Sequence, residues 1–304
     1  MPENPIQLAV TRADYDRIWD FSQPEATEAE LRSLLPAASQ LQGREQCYHI
    51  ELLTQIARSQ GLQKKISEAR TTLEEAERLL ESHVEVCQVS AKIRWLLERG
   101  RLLVLERTPA QAHAMFREAW VLASNSGEDY LAVDSAQMLA LTEPPKEQKN
   151  WLLKAVKLAE VSPQVKTKYW LGALYTSLGW KYYDLRQYDN ALEIFQKALS
   201  HLNIEGKERP VFVAKWSLGK VLRAMSRIEE ALTIQESLLA ELRSHGARDG
   251  RVFEELAECL QLLKRSSEAQ PYYGLAYEEL SKDEWLKDNK PDHIKRLKDL
   301  GKVK

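Results

Sequence analysis

The sequence is poor in the residues and runs that mark several common protein classes. It has only three cysteines, Cys47, Cys87 and Cys259, which are far apart and form no C-x-x-C pair. An odd, scattered set argues against a disulfide framework and against a zinc site, so we expect reduced, packed thiols. No stretch approaches the roughly 18 apolar residues of a membrane span, and residues 1–10 do not resemble a signal peptide. We therefore expect a cytoplasmic protein.

Neither sign of charge is in excess. The chain has 43 Lys and Arg against 45 Asp and Glu, a formal net charge of -2. This balance gives no overall cationic field that would attract nucleic acid or an anionic membrane. We therefore predict no nucleic-acid partner and no membrane partner.

Common catalytic motifs are also missing. The chain contains no H-E-x-x-H, G-x-S-x-G or G-x-G-x-x-G, and the pair Gly219-Lys220 lacks the rest of a phosphate-binding loop. Its six histidines are dispersed singly, which does not favour a metal site. Glu254, Glu255 and Glu258 would need a closed pocket for acid–base chemistry, so we interpret them as a charged wall. These absences predict a non-enzyme without a metal or cofactor.

The residues that are present favour helices. Hydrophobic residues make up 44% of the chain and charged residues 29%, with only 12 Gly and 11 Pro. This composition is typical of a folded, helix-rich protein, and strand-type alternation is hard to find. We therefore predict an all-α fold.

The stretch from Trp170 to Leu199 carries the clearest pattern. Two predicted helices each place a set of mainly small and aromatic residues on one face. The set on the first helix is Tyr175, Leu178, Gly179 and Tyr182, and the set on the second is Ala191, Phe195 and Ala198. We expect Gly179 and Ala191 to lie where the two backbones approach most closely, with aromatic rings beside them.

This pattern resembles the tetratricopeptide repeat (TPR), with Tyr175 where the family usually has Trp. Equivalent small-residue positions recur at intervals of 43, 36, 43, 40 and 38 residues, at Ala69, Ala112, Gln148, Ala191, Ala231 and Ala269. Intervals above the usual 34 resemble the longer TPRs of kinesin light chains and of bacterial peptide-sensing or transcription-regulating proteins. The resemblance implies a right-handed superhelical solenoid of helical hairpins, whose first helices line a concave, partner-binding groove.

The pattern divides the chain into three predicted segments. Residues 1–46 form a divergent helical hairpin, with a helix over Ala13–Phe21 and a capping box at Thr27-x-x-Glu30; Pro36 kinks its second helix. Residues 47–280 form an array of five to six TPR-like units, with Gly61 at the first turn. Residues 281–304 form a C-terminal cap.

On each first helix, the residues that point away from the packing face are predicted to line the groove. These residues are mostly basic, except in the last unit, where they are acidic. The predicted partner-binding residues are Arg58, Arg94, Arg101, Gln137, Trp180, Trp216, Lys220 and Arg223. The alternative is an ordinary solvated face on which Arg and Glu pair locally. The co-chaperone carboxylate clamp of the TPR family is not reproduced, because no Asn falls on a groove position.

Three function classes remain open. The leading one is a non-catalytic scaffold or adaptor that binds a protein or peptide segment; the others are a peptide- or partner-responsive sensor and a helical-repeat enzyme subunit. Trp180 and Trp216, with Lys220 and Arg223 beyond them, predict an acidic segment with aromatic or aliphatic anchors. The alternative is that one or both tryptophan rings pack back between the first helices. The oligomeric state stays open.

Overall fold

The computed structural model describes residues 14–82, 89–205 and 208–303. Every regular element within these ranges is helical, which confirms the predicted all-α class. None of the described helices is long and apolar enough to cross a membrane. Residues 1–10, which we compared with a signal peptide, and Cys87 lie outside the described ranges.

The helices follow one another with short connections, and a 3-10 turn at Gly43–Glu45 precedes the fourth. In chain order they are α1 (Asp14–Ile18), α2 (Pro24–Ser33), α3 (Leu35–Ala38), α4 (Gln46–Leu62), α5 (Ile66–Ser82), α6 (Val89–Leu105), α7 (Pro109–Ser126), α8 (Asp129–Thr142), α9 (Pro145–Val161), α10 (Val165–Lys168), α11 (Leu171–Asp184), α12 (Tyr188–Glu205), α13 (Glu208–Ala224), α14 (Ile228–Ser244), α15 (Gly250–Leu262), α16 (Ser266–Leu280), α17 (Glu284–Asn289) and α18 (Pro291–Gly301).

The chain divides into two compact units, an N-terminal unit up to Trp170 and a C-terminal unit from Leu171. Both units consist mainly of helices packed in pairs. The hairpins are α4–α5, α6–α7 and α8–α9 in the N-terminal unit, and α11–α12, α13–α14 and α15–α16 in the C-terminal unit. The predicted TPR-like hairpin is therefore the repeating element of each unit. The predicted segment boundaries at residues 46 and 280 stay predictions.

Close contact between a glycine and a large side chain holds the hairpin α11–α12 together. Gly179 lies against the Phe195 ring, so a methyl group added at Gly179 would come within 2.7 Å of ring atom Cε1. Ala191 and Phe195 are both fully buried, as the repeat pattern requires. In α6–α7 the equivalent residue Gly100 faces Phe116, and in α13–α14 the equivalent residue Gly219 faces Gln235. The small residue therefore sets how closely the two helices approach.

Most hairpin turns close in one way. In five of them the second residue after the first helix has a left-handed backbone, with φ between 57° and 63°, at Lys64, Arg107, Arg186, Ser226 and Lys264. The next N–H then donates back to a carbonyl in the last helical turn, as Gln187 does to Tyr182 at 2.9 Å. Because α4 runs to Leu62, Gly61 lies inside the helix, and its predicted place at the turn is wrong.

The N-terminal helices differ from the prediction in detail. Of the predicted helix Ala13–Phe21, Ala13 lies outside the described residues, and α1 ends at Ile18, three residues before Phe21. The predicted capping box is wrong, because α2 begins at Pro24 and places Thr27 inside the helix. The Thr27 hydroxyl instead donates to the Asp20 carbonyl at 3.2 Å. Proline suits a first helical turn, and this preference decides where α2 starts.

The C-terminal helices cover the end of the last hairpin. Helix α18 packs against α16, and its Leu297 is fully buried in a core cluster that includes Tyr273. The Asp283 carboxylate accepts the Leu286 N–H at 3.2 Å and so caps α17. The last apolar face of the C-terminal unit is thereby removed from water.

A matched pair of glycine substitutions tests the close contact. Alanine at a helix interior gains about 1 kcal/mol of helix propensity over glycine. A methyl group at Gly274 in α16 meets Val303 only at an ordinary 3.7 Å, whereas one at Gly179 collides with Phe195. We expect Gly179→Ala to lower the free energy of unfolding by about 1 kcal/mol or more through overpacking, and Gly274→Ala to leave it equal or higher. Urea unfolding measures both; equal stability of the two variants would contradict the assigned contact.

Candidate functional site

In the N-terminal unit the predicted groove arginines are paired with buried carboxylates. Arg94 Nε lies 3.4 Å from Glu51 Oε2, and Arg58 Nη1 lies 3.9 Å from Glu98 Oε1. Arg101 forms ion pairs with Glu98 on its own helix and with Asp134 on α8. The three carboxylate side chains are 2–4% exposed. We call these six residues the charge ladder: Glu51, Arg58, Arg94, Glu98, Arg101 and Asp134.

The charge ladder is formally neutral, since it holds three arginines and three carboxylates. A buried carboxylate without a cation would be costly, so each arginine here offsets a charge of the protein itself. Burial raises the pKa of the Glu98 carboxyl, against the opposing charges of Arg101 and Arg58. The predicted excess of bases is therefore not found on this face of the N-terminal unit.

Aromatic rings and amides surround the ladder. The Arg58 guanidinium lies over the rings of Trp19 and Phe21, 5.4 and 5.3 Å from their centroids. Trp19 Nε1 donates to Gln55 at 3.0 Å. Gln137, the fourth predicted residue of this unit, is half-buried, and its Oε1 has no hydrogen-bond partner among the described residues.

In the C-terminal unit the two predicted tryptophans come together. The ring centroids of Trp180 on α11 and Trp216 on α13 are 5.6 Å apart. Trp180 also contacts Tyr183 at 5.4 Å and the buried Phe195 at 5.2 Å, and Tyr183 contacts Tyr188 at 5.4 Å. Both tryptophans are half-buried, so each ring packs partly between helices and partly faces solvent.

Two of the cations near these rings share one carboxylate. A third, Arg251, lies 5.5 Å from the Trp216 ring centroid and pairs with Asp249. Lys220 Nζ donates to Glu255 at 2.7 Å, and Arg223 Nε donates to the same group at 2.6 Å. Lys220 also lies over the Trp216 ring, 5.2 Å from its centroid. We call Trp180, Tyr183, Tyr188, Trp216, Lys220 and Arg223 the aromatic–cationic cluster. Counted by hydrogen-bonded partners, the two cations share one carboxylate, so the cluster has one cation in excess. The charge of Glu258, which is paired with Arg296, also acts on Arg223.

The Glu255 carboxyl is strongly held as an anion. Its side chain is 1% exposed, and burial alone would raise its pKa. The hydrogen bond from Arg223 and the charges of Lys220 and Arg223 outweigh burial, so its pKa lies below the ordinary value.

The remaining acidic residues of α15 face the C-terminal cap. Glu254 accepts from His293 at 2.7 Å, and Glu258 accepts from Arg296 at 2.6 Å. His293 and Arg296 of α18 therefore pair with this wall.

The first-helix projection also places Glu98 and Asp134 on the predicted groove face, but it does not include Glu51, Tyr183 and Tyr188. Glu51 lies one helical turn before Gln55 on the same stripe of α4, so extending the stripe by four residues would have found it. Tyr183 and Tyr188 flank the turn of α11–α12, and no periodic signal places such rings.

Possible metal or thiol chemistry is limited in the described part of the chain. No three His, Cys, Asp or Glu side chains lie close enough there to hold a metal ion. Cys47 and Cys259 are buried free thiols, and burial, with the Glu255 charge second, raises the pKa of Cys259 to about 12. A thiol with such a pKa is a poor nucleophile at neutral pH.

No family model and no curated protein matches the sequence, but solved structures match the fold. The apo form of RapI aligns with 96% of this chain and 80% of its own, at 12% identity and a TM-score of 0.71. A signal transduction ATPase with numerous domains (STAND) and a tetratricopeptide repeat sensor, from Pyrococcus horikoshii, aligns with 90% of this chain at 14% identity and a TM-score of 0.68. This chain spans 41% of that protein.

A third structure, NprR in complex with its cognate peptide NprX, aligns with 94% of this chain and 83% of its own, at 14% identity and a TM-score of 0.54. At such low identities these likenesses establish the fold alone. They confirm that the chain has a TPR-like helical-repeat architecture.

The lowered pKa of Glu255 gives a pH dependence of stability. A carboxyl whose folded pKa lies below its ordinary 4.5 stabilises the fold above that pH, and the contribution is lost as pH falls through the folded pKa. We expect Glu255→Gln to cost about 1–3 kcal/mol at pH 7, a range reduced because Lys220 and Arg223 are partly exposed. Urea unfolding at several pH values should show the gap to wild type shrinking below pH 4.5.

Glu230→Gln is the control, because Glu230 forms an exposed ion pair with Arg227. It should change stability much less at every pH. A gap for Glu255→Gln that widens in acid would contradict the assignment.

Proposed function

We propose that this chain is a non-catalytic scaffold that binds a protein or peptide segment at the aromatic–cationic cluster. The observation that carries the proposal is the contact between the two tryptophan rings, with Lys220 over the Trp216 ring and Lys220 and Arg223 sharing the carboxylate Glu255. Aromatic side chains beside Lys and Arg are typical anchors of interfaces, since a partly exposed ring gains most from a partner. The TPR-like fold supports a binding role for the first helices.

The ligand of this cluster is an acidic segment with aromatic or aliphatic anchors. An acidic group would balance the excess cation next to Lys220 and Arg223, and an apolar side chain would cover the exposed edges of Trp180 and Trp216. The ladder arginines Arg58, Arg94 and Arg101 do not share this role, because their charges are already balanced within the N-terminal unit.

A peptide-responsive regulator is the second candidate. Two structures of similar fold support it, the protein with a tetratricopeptide repeat sensor and NprR with its cognate peptide. A regulator would differ from a scaffold in changing its conformation when the segment binds. Amide hydrogen exchange with and without ligand separates the two: protection confined to the cluster favours a scaffold, and changes spread over distant hairpins favour a regulator.

Ligand selection by the intact chain tests the binding site. We expect panning of a random displayed peptide library to enrich peptides that combine Asp or Glu with aromatic or aliphatic residues. Trp216→Ala should then weaken the best peptide about thirtyfold, equivalent to about 2 kcal/mol, because it removes an anchor. Lys220→Gln should weaken it several-fold and reduce the dependence of affinity on salt. Titration calorimetry measures both effects.

The control pair is Trp285→Ala and Lys290→Gln. Trp285 on α17 is 59% exposed, and Lys290 lies 5.8 Å from its ring centroid, so this pair repeats the chemistry away from the cluster. Neither control should change the affinity. Enrichment of basic peptides, or equal losses in both pairs, would overturn the proposed site.

A further inference from the structure

An open cavity of about 420 Å³ lies at the C-terminal ends of α4, α6 and α8 in the N-terminal unit. Its volume is within the range of about 300–1,000 Å³ found for ligand pockets. Arg58, Glu98 and Arg101 of the charge ladder line the cavity, together with apolar side chains of the three helices. The aromatic–cationic cluster is not part of this cavity.

The rim of the cavity is apolar and exposed. Phe21 is 61% exposed, Leu62 49%, Leu105 46% and Leu141 71%, and all four line the cavity. Single exposed apolar residues are common on protein surfaces, but several that converge on one concavity mark an interaction site. The rim therefore fits an aliphatic side chain of a ligand.

The polar groups at the base are incompletely paired. Glu98 is 4% exposed, yet its Oε2 atom has no hydrogen-bond partner within the described ranges. A buried acceptor of this kind costs free energy until a donor reaches it. Beside it, Arg58 has only the 3.9 Å contact to Glu98 as an ion pair with the described residues. The base thus offers one acceptor and one donor group next to each other.

We propose that this cavity binds a peptide segment through an adjacent amide N–H and C=O, with an aliphatic side chain against the rim. The N–H donates to Glu98 Oε2, the C=O accepts from Arg58, and the aliphatic group covers Leu62, Leu105 and Leu141. The site is separate from the aromatic–cationic cluster and stands whether or not the cluster binds its acidic ligand.

Charge complementarity favours this uncharged ligand over an ion. The ladder is neutral, so an added cation would lie beside Arg58 and Arg101, and an added anion would lie beside Glu98 and Asp134. Either ion would also lose its hydration in an apolar cavity. An amide supplies a donor and an acceptor without a net charge.

Two parts of a peptide can supply the pair. The primary carboxamide of Gln or Asn carries its N–H and C=O on one edge. The backbone of an extended residue likewise directs its own N–H and C=O to the same side, as in antiparallel strands. The two sources share one chemistry, and probe peptides distinguish them.

The probes are four blocked tripeptides, acetyl-Leu-X-Leu-N-methylamide with X as Gln, Met, Glu or Lys. Titration of the full-length chain is followed by ligand-observed NMR. We expect the Gln probe to bind with a dissociation constant of about 1 mM or below, and the Glu and Lys probes to bind several-fold more weakly. A Met probe as tight as the Gln probe identifies the backbone as the source, and a weaker one identifies the side-chain carboxamide.

Gly61 lines the cavity, and Gly61→Leu is the variant designed to fill it. A Cβ added at Gly61 meets only Leu105 Cδ1, at an ordinary 3.6 Å, and leucine is a better helix former than glycine. We expect an unchanged or higher melting temperature and a loss of Gln-probe affinity of about tenfold or more. Leu141→Ser should also weaken binding, whereas Val161→Ser, at a residue 70% exposed outside the cavity, should not.

Two further variants separate this site from the cluster. Arg58→Gln removes the charged donor and should weaken the Gln probe about tenfold, while Lys220→Gln in the C-terminal unit should leave it unchanged. The proposal is overturned if the Gln probe shows no saturable binding, if Gly61→Leu binds it like wild type, or if the Glu or Lys probe binds equally well.

Discussion

The charged side chains of the charge ladder, and Glu255 with Lys220 and Arg223, lie on the first helices of their hairpins and are largely removed from water. Each must therefore find an opposite charge within reach. The rest of the site follows from this constraint. In the N-terminal unit Arg94, Arg101 and their carboxylates balance one another, which leaves a neutral face. In the C-terminal unit Lys220 and Arg223 share one paired carboxylate, Glu255, which leaves more cations than hydrogen-bonded carboxylates beside the tryptophans. The two units therefore offer different chemistry on the same repeated scaffold.

Close helix contacts decide which residues of the first helices come together. The contact between Gly179 and Phe195 fixes the rotation of α11 about its own axis. Trp180, the next residue, is therefore directed towards Trp216 on α13. The left-handed residue follows the close-contact glycine after seven residues in three hairpins, at Arg107 after Gly100, Arg186 after Gly179 and Ser226 after Gly219. The packing and the turn together place side chains from helices about forty residues apart in contact.

The sequence was sufficient for the local part of this arrangement and insufficient for the long-range part. Gly179, Ala191 and Phe195 could be placed because their spacing is a property of one hairpin. The partners of Arg94 and Arg223 could not, because Glu51 and Glu255 lie on other hairpins whose relative positions no periodicity encodes. Local signals failed in two places. The capping box predicted at Thr27 does not form, because α2 begins earlier, at Pro24. Five hairpin turns have a left-handed residue that is not glycine, so glycine does not mark them in the sequence.

We propose that the cations Lys220 and Arg223, which Glu255 balances only in part, recognise the acidic group of the ligand. It is tested most directly by the affinity of an acidic, display-selected peptide for Glu255→Gln and for wild type at neutral pH, with both proteins shown to be folded by circular dichroism. Because the substitution releases both cations, we expect the variant to bind the peptide about threefold more tightly or better. Equal or weaker binding by the folded variant would show that the excess charge of the cluster does not recognise the ligand.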